Sequence, residues 1–254
     1  MHRTRLLALA FLVAIPSSAF GNGVAVTRGQ EAPPAAAPDA AGSAARAWYL
    51  RNEVGANLIP DISLKGKSIS DGVDTVSWSD ASLSLDAGVG WNIAFGVRVA
   101  DWLSFEVSSG LAYNQFDAVT GTIDLNGASV SGTLDVSGSI LQVPIMAGPR
   151  AEFPIGEALR INVGVSAGGI YLHGDLNTTI SDGATAVTLD GSDGAWAFAY
   201  SATAGLDWQI AHGLGLGVAY RFLGTTSASF GPLGAIDAEA IYNQQIVGTV
   251  TIRF

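Results

Sequence analysis

The sequence predicts an all-β chain: an eight-stranded antiparallel transmembrane β-barrel with short turns at one end and four long loops at the other. Three observations carry this. The chain is 48% hydrophobic and only 13% charged, with a mean hydropathy of +0.35, whereas an average soluble domain is about 25% charged. The apolarity is not gathered into long runs. After Leu6–Ile15 no stretch approaches the roughly 20 apolar residues that a spanning helix needs. From Trp48 onward, apolar side chains recur at alternate positions, the period of a strand with one apolar face.

The N-terminus reads as a secretory signal peptide over residues 1–19. His2, Arg3 and Arg5 form a basic start, Leu6–Ile15 an apolar run, and Ser17 and Ala19 the small residues of a cleavage site. Residues 20–45, with EAPPAAAPDAAGSAA at their centre, have neither helical nor strand periodicity and read as an Ala/Pro-rich periplasmic linker. The barrel is expected over 46–254.

The first strand, Trp48 to Leu58, sets Trp48, Leu50, Val54, Ala56 and Leu58 against Tyr49, Arg51, Glu53 and Asn57. The second is read from Leu83 to Val99, where no odd position is polar and Ser84, Asp86, Asn92 and Arg98 fall on the even ones. A tight turn at Asp101 leads to the third, Leu103 to Asn114. The fourth runs Leu141 to Phe153 and turns at Pro154–Ala158 into the fifth, Leu159 to Tyr171. The sixth, Phe198 to Ile210, turns at His212-Gly213 into the seventh, Leu214 to Phe222, and the eighth ends Ile246 to Phe254. Long connections fall at 59–81, 115–138, 174–195 and 224–237. Their acids include Asp61, Asp71, Asp74, Asp80, Asp117, Asp124, Asp182, Asp190 and Asp193. Alternating short and long connections place the short turns in the periplasm and the long loops outside the cell.

Charge decides which face points inward. Arg51, Arg98, Arg150, Arg160, Arg221 and Arg253 all lie on the small or polar face, with Glu53, Asp86, Glu106, Glu152 and Asp207. On a lipid-facing surface each Arg would cost about 2–4 kcal/mol at mid-membrane. In a lumen the groups can pair, and Arg, with its planar multi-donor group, suits such sites better than Lys. The two lysines, Lys65 and Lys67, lie in the first long loop. Aromatics fall near the strand ends: Trp48, Trp102, Phe153, Trp208 and Phe254 at one rim, and Tyr113, Tyr171, Tyr200, Tyr220 and Phe222 at the other. Such belts suit rings with a polar tip.

The segments WNIAFGVRVADWLSFEVSSGLAYN, LQVPIMAGPRAEFP, LGLGVAYRF and IVGTVTIRF resemble small bacterial outer-membrane β-barrels of the OmpA/OmpX type, the outer-membrane β-barrel domain family. The resemblance covers about 46–254. It implies an outer-membrane location, contact with outer-membrane lipid and lipopolysaccharide, and a terminal aromatic, here Phe254, read by the barrel-assembly machinery. The Ala/Pro linker and the lack of a C-terminal peptidoglycan-binding domain depart from the OmpA pattern.

Composition narrows the chemistry. Twelve basic against 22 acidic residues, a net charge of −10, do not supply the basic face of a nucleic-acid binder. With no cysteine and three histidines there is no thiol chemistry and no histidine cluster. His173, with Asp175 two residues on, is the one candidate base for a lipid-acting enzyme, but no serine is marked by context and no His-x-Ser-Asn pattern occurs. Asp190-Gly-Ser-Asp193-Gly could seat Ca²⁺ but reads first as a solvated acidic loop. Gly164, Gly168 and Gly169 lie in a strand with no helix after them and cradle no phosphate. No catalytic residue, cofactor or metal is therefore expected, and the barrel is expected to be a monomer. Its luminal charges form either a structural plug, since eight strands leave an interior just wide enough for side chains, or the lining of a narrow channel. A water-filled interior without a continuous path lies between the two.

Overall fold

In the computed structural model, residues 48–70, 75–125, 128–181, 186–230 and 236–254 are described. The expected signal peptide (1–19) and linker (20–45) lie outside them, as do Asp71, Asp74 and Asp182.

Eight strands close into a ring: β1 (Trp48–Leu58), β5 (Gly88–Ala100), β6 (Leu103–Leu125), β8 (Ser137–Ile155), β9 (Leu159–Ser181), β10 (Ala186–Ala211), β11 (Leu214–Thr225) and β14 (Tyr242–Arg253). Each pairs antiparallel with its neighbours, and β14 pairs with β1 to complete the circle. Closure leaves no unpaired edge within the wall, the condition for a sheet that crosses lipid. The ring is sealed by Tyr49 opposite Arg253 and by Phe254, whose backbone N–H donates to the Trp48 carbonyl at 2.9 Å. Short turns join β5 to β6, β8 to β9 and β10 to β11. Gly156 (φ 86°) and Gly213 (φ 75°) supply the left-handed residue in two of them.

The outer wall is apolar. Val89, Trp91, Phe95 and Val99 of β5, and Phe105, Val107, Leu111 and Tyr113 of β6, are all exposed, while Asn92, Ala94 and Gly96 between them are buried. Asn52 and Ser109 interrupt this face. Asn52 is met by the Trp91 indole N–H at 3.0 Å, which satisfies its carbonyl where water is scarce.

Two sequence expectations change. Leu83–Val99 is not one strand. It breaks at Asp86 and Ala87 into β4 (Thr75–Leu85) and β5. The two-residue break keeps the odd–even phase, yet the faces invert: Leu83 is 1% exposed and Val89 60%. The four long connections are also strand-rich. A spanning strand needs about 9–11 residues, whereas β6 and β9 have 23 each and β10 has 26. The upper part of β6 leaves the ring to join β4 and β7 (Ala128–Asp135) in a second sheet with β2 (Ile62–Leu64), β3 (Lys67–Ser70), β12 (Ala228–Phe230) and β13 (Ile236–Ala238). These segments continue the alternation. Phe116, Val136, Ile140, Leu172, Leu176, Phe230 and Ile241 turn inward and bury one another with Leu83, Ile62 and Leu223. Asp117 and Asp175, among the polar residues that make these connections look like solvated loops, are exposed on the other face.

Candidate functional site

The lumen is the candidate site, and its layers follow from strand register. At the short-turn end, Arg98 (β5), Glu152 (β8), Arg160 (β9) and Arg253 (β14) reach in from four strands. Three guanidiniums approach one oxygen, Glu152 Oε2: Arg253 Nη2 at 3.2 Å, Arg160 Nη1 at 3.6 Å and Arg98 Nη2 at 3.8 Å. Arg150 Nε faces the other oxygen at 3.6 Å.

The next layer is buried. Arg150 sits at its centre, 2% exposed, and donates from Nη2 to Asp207 Oδ2 at 2.9 Å. Asn162 Nδ2 donates to the same oxygen at 2.9 Å, and Thr249 Oγ1 to Asp207 Oδ1 at 3.2 Å. Arg51 binds Glu106 through two N–H groups, at 2.6 and 3.2 Å, the bidentate geometry that makes Arg–carboxylate pairs strong. Tyr49 donates to Glu106 Oε1 at 2.8 Å. Glu53 takes both Arg51 and Arg221 as ion partners and accepts from Asn92 Nδ2 at 3.2 Å. Buried charges are tolerable because each is paired and hydrogen-bonded, but removing one partner leaves its mate stranded.

Above the charges lies a belt of amides. Asn57 donates to Asn114 and accepts from Gln245 Nε2 at 3.0 Å, while Asn243 Nδ2 donates to Gln142 Oε1 at 3.0 Å. The apolar cap of Ile140, Ile170, Leu172, Ala199 and Leu223 then closes the barrel on the long-loop side. Between charge layer and cap lies a cavity of about 40 Å³, walled in part by Ser108, Ser166, Ser201, Thr203 and Arg150. It has room for a few water-sized groups and not for a metabolite.

Ten of the eleven luminal charges read from the sequence thus come together. Asp86 does not. It sits exposed in the break between β4 and β5, where its backbone carbonyl accepts from Asn114 Nδ2 at 2.9 Å. The described lumen accordingly holds six arginines against four carboxylates rather than five. Sequence reasoning did not single out Tyr49, Asn57, Asn114, Gln142 or Gln245 as a network. Their only signal is that polar residues with hydrogen-bonding tips recur on the small face.

The remaining candidates stay apart. His173 lies on the outer side of β9, its ring 6.3 Å from that of Tyr171, and donates no hydrogen bond to Asp175 or to a serine among the described residues. Asp190 to Asp193 is extended strand within β10, paired with β9, and no group of three or more potential metal ligands occurs among the described residues. Phe254 is 70% exposed at the end of the outer apolar row Ile246, Val250 and Ile252.

The sequence pattern of the outer membrane protein beta-barrel domain family matches residues 33–254. The chain belongs to this family. It is therefore a transmembrane β-barrel of the bacterial outer membrane. No curated protein sequence matches it. Among solved structures it is similar to Neisserial surface protein A of Neisseria, at 12% identity over 82% of this chain and 97% of that one (TM-score 0.44). It is likewise similar to OprG of Pseudomonas aeruginosa, at 16% identity over 82% and 96% (TM-score 0.48). A third is the attachment invasion locus protein Ail of Yersinia pestis, at 11% identity over 82% and 99% (TM-score 0.41).

Proposed function

We propose that this barrel is a closed, non-enzymatic, monomeric surface protein whose working part is the β-structured extension beyond the membrane. The observation that supports this is the succession of closing layers along the lumen, an arginine clasp at the short-turn mouth, the Arg150 layer, the amide belt and the apolar cap, with room between them for only a few water-sized groups. A chain that spends its interior on packing has its exterior left for function. That exterior is acidic. Asp61, Asp80, Asp117, Asp135, Asp175, Asp190 and Asp193 are exposed there, with Lys65 beside Asp237 at 3.6 Å. Such a surface would meet lipopolysaccharide through divalent ions and repel other anionic surfaces. Among the described residues no nucleophile, base and acid stand together, so catalysis is not part of the reading. The signal peptide and the assembly machinery that reads Phe254 are the proposed route to the membrane.

The absence of native cysteine makes the orientation directly testable. Thr133→Cys in β7 should react with a membrane-impermeant maleimide on intact cells. Glu157→Cys, in the β8–β9 turn, should react only after the outer membrane is opened. Labelling of Glu157→Cys and not Thr133→Cys on intact cells would contradict the surface role.

A further inference from the structure

The luminal charges do not balance, and the imbalance is local. Around Arg150, three guanidiniums (Arg51, Arg150, Arg221) face three carboxylates (Glu53, Glu106, Asp207). At the short-turn mouth, three further guanidiniums, Arg98, Arg160 and Arg253, share the single carboxylate of Glu152, which Arg150 also approaches. A guanidinium is always charged in proteins, so the imbalance persists. Of the three, only Arg253 donates a hydrogen bond to Glu152, at 3.2 Å. Its Nε–H is buried with no hydrogen-bond partner in the protein, as is the Thr251 hydroxyl on the same strand, one step further in. The side chains of Arg98, Arg160 and Arg253 keep 28%, 26% and 14% of their surface. They are open at the mouth yet ringed by barrel wall.

We infer that the short-turn mouth is a binding site for a small doubly charged oxyanion of the phosphate class, held by Arg98, Arg160 and Arg253. Among the side chains that reach inward here, three guanidiniums less one carboxylate leave two positive charges, which a dianion matches; Asp101 and Glu157, in the short turns of the same rim, are exposed to solvent. Their planar forks suit tetrahedral oxyanion oxygens. The ligand is a free ion and not a lipid headgroup, since the wall of the ring stands between these side chains and the bilayer. The site is filled from the periplasm and lies outside the surface role proposed above.

The test titrates inorganic phosphate at pH 8 into the refolded barrel in zwitterionic detergent, with sodium chloride at matched ionic strength as control. Calorimetry and the thermal unfolding midpoint are the readouts, and gel mobility before and after boiling confirms folding of each variant. One saturable site and a raised midpoint with phosphate but not with chloride are expected. Arg160→Gln should weaken binding at least tenfold. Glu152→Gln removes the competing carboxylate and should tighten it several-fold, an opposite sign that mere loss of structure would not give. A midpoint that responds equally to phosphate and chloride, or wild-type protein with no saturable binding, would overturn the inference whatever the variants do.

Discussion

Arg150 of β8 and Asp207 of β10 meet inside the barrel at 2.9 Å, both almost wholly buried and separated by the whole of β9 in the wall. Their contact ties strands that share no backbone ladder, so the lumen braces the ring much as a core braces a sandwich. Arg150→Ala would strand Asp207 and loosen Glu106 and Glu152 together. The expected loss is about 3–5 kcal/mol in urea unfolding of the refolded barrel. Replacing the pair at once, Arg150→Met with Asp207→Leu, should recover much of that loss, because no uncompensated charge remains.

Tyr49 reaches its partners only because Gly96 lacks a side chain. A Cβ at Gly96 would fall within 2.6 Å of several atoms of the Tyr49 side chain, whose hydroxyl donates to Glu106 and lies 2.8 Å from the Ser104 hydroxyl. Gly96→Val should cost about 1–3 kcal/mol by overpacking. In the Tyr49→Ala background the same change should cost distinctly less, a coupling that a double-mutant cycle measures directly.

The wall should distinguish depth. Val107, the fifth residue of β6, faces outward near the middle of a crossing of about 9–11 residues counted from the short-turn rim, where Trp102 faces outward, and both are half exposed. Val107→Arg should destabilise the barrel in phospholipid by about 2–4 kcal/mol, and Trp102→Arg by at most about 1 kcal/mol from its charge. Equal penalties at both positions would mean that this face does not cross a bilayer.

The cap should behave as a protein core although it stands beyond the strand length that membrane crossing requires. Leu172 is fully buried among Ile140, Ile170 and Leu223. Leu172→Ala should cost about 2–5 kcal/mol, measured by urea unfolding. A solvated loop would register nearly nothing.

Most of the wall was legible in the sequence because lipid imposes one rule on every strand: apolar outward, small or polar inward. That rule placed Arg51, Arg98, Arg150, Arg160, Arg221 and Arg253 inside. It failed at Asp86 because a break of two residues preserves parity. Leu83 and Val89 remain in phase by count while pointing to opposite environments. It failed for the cap because the Ser-, Thr- and Asp-rich stretches 115–138 and 174–195 resemble loop composition, hiding Phe116 and Leu176 within them. The pairings across the lumen were not legible at all. Glu53 and Arg221 are 168 residues apart in sequence, and which charges meet depends on register and on the closing of the ring, which no local pattern encodes.

Single-channel conductance of the refolded barrel in planar lipid bilayers tests the central claim, that the lumen is a packed core, most directly. A folded, inserted and silent protein is expected. Leu172→Ala and Leu223→Ala together should leave it silent, since the arginine clasp and the Arg150 layer still close the path. Steady openings of the wild-type barrel, altered by Arg150→Ala, would contradict it and make the same charges the lining of a channel.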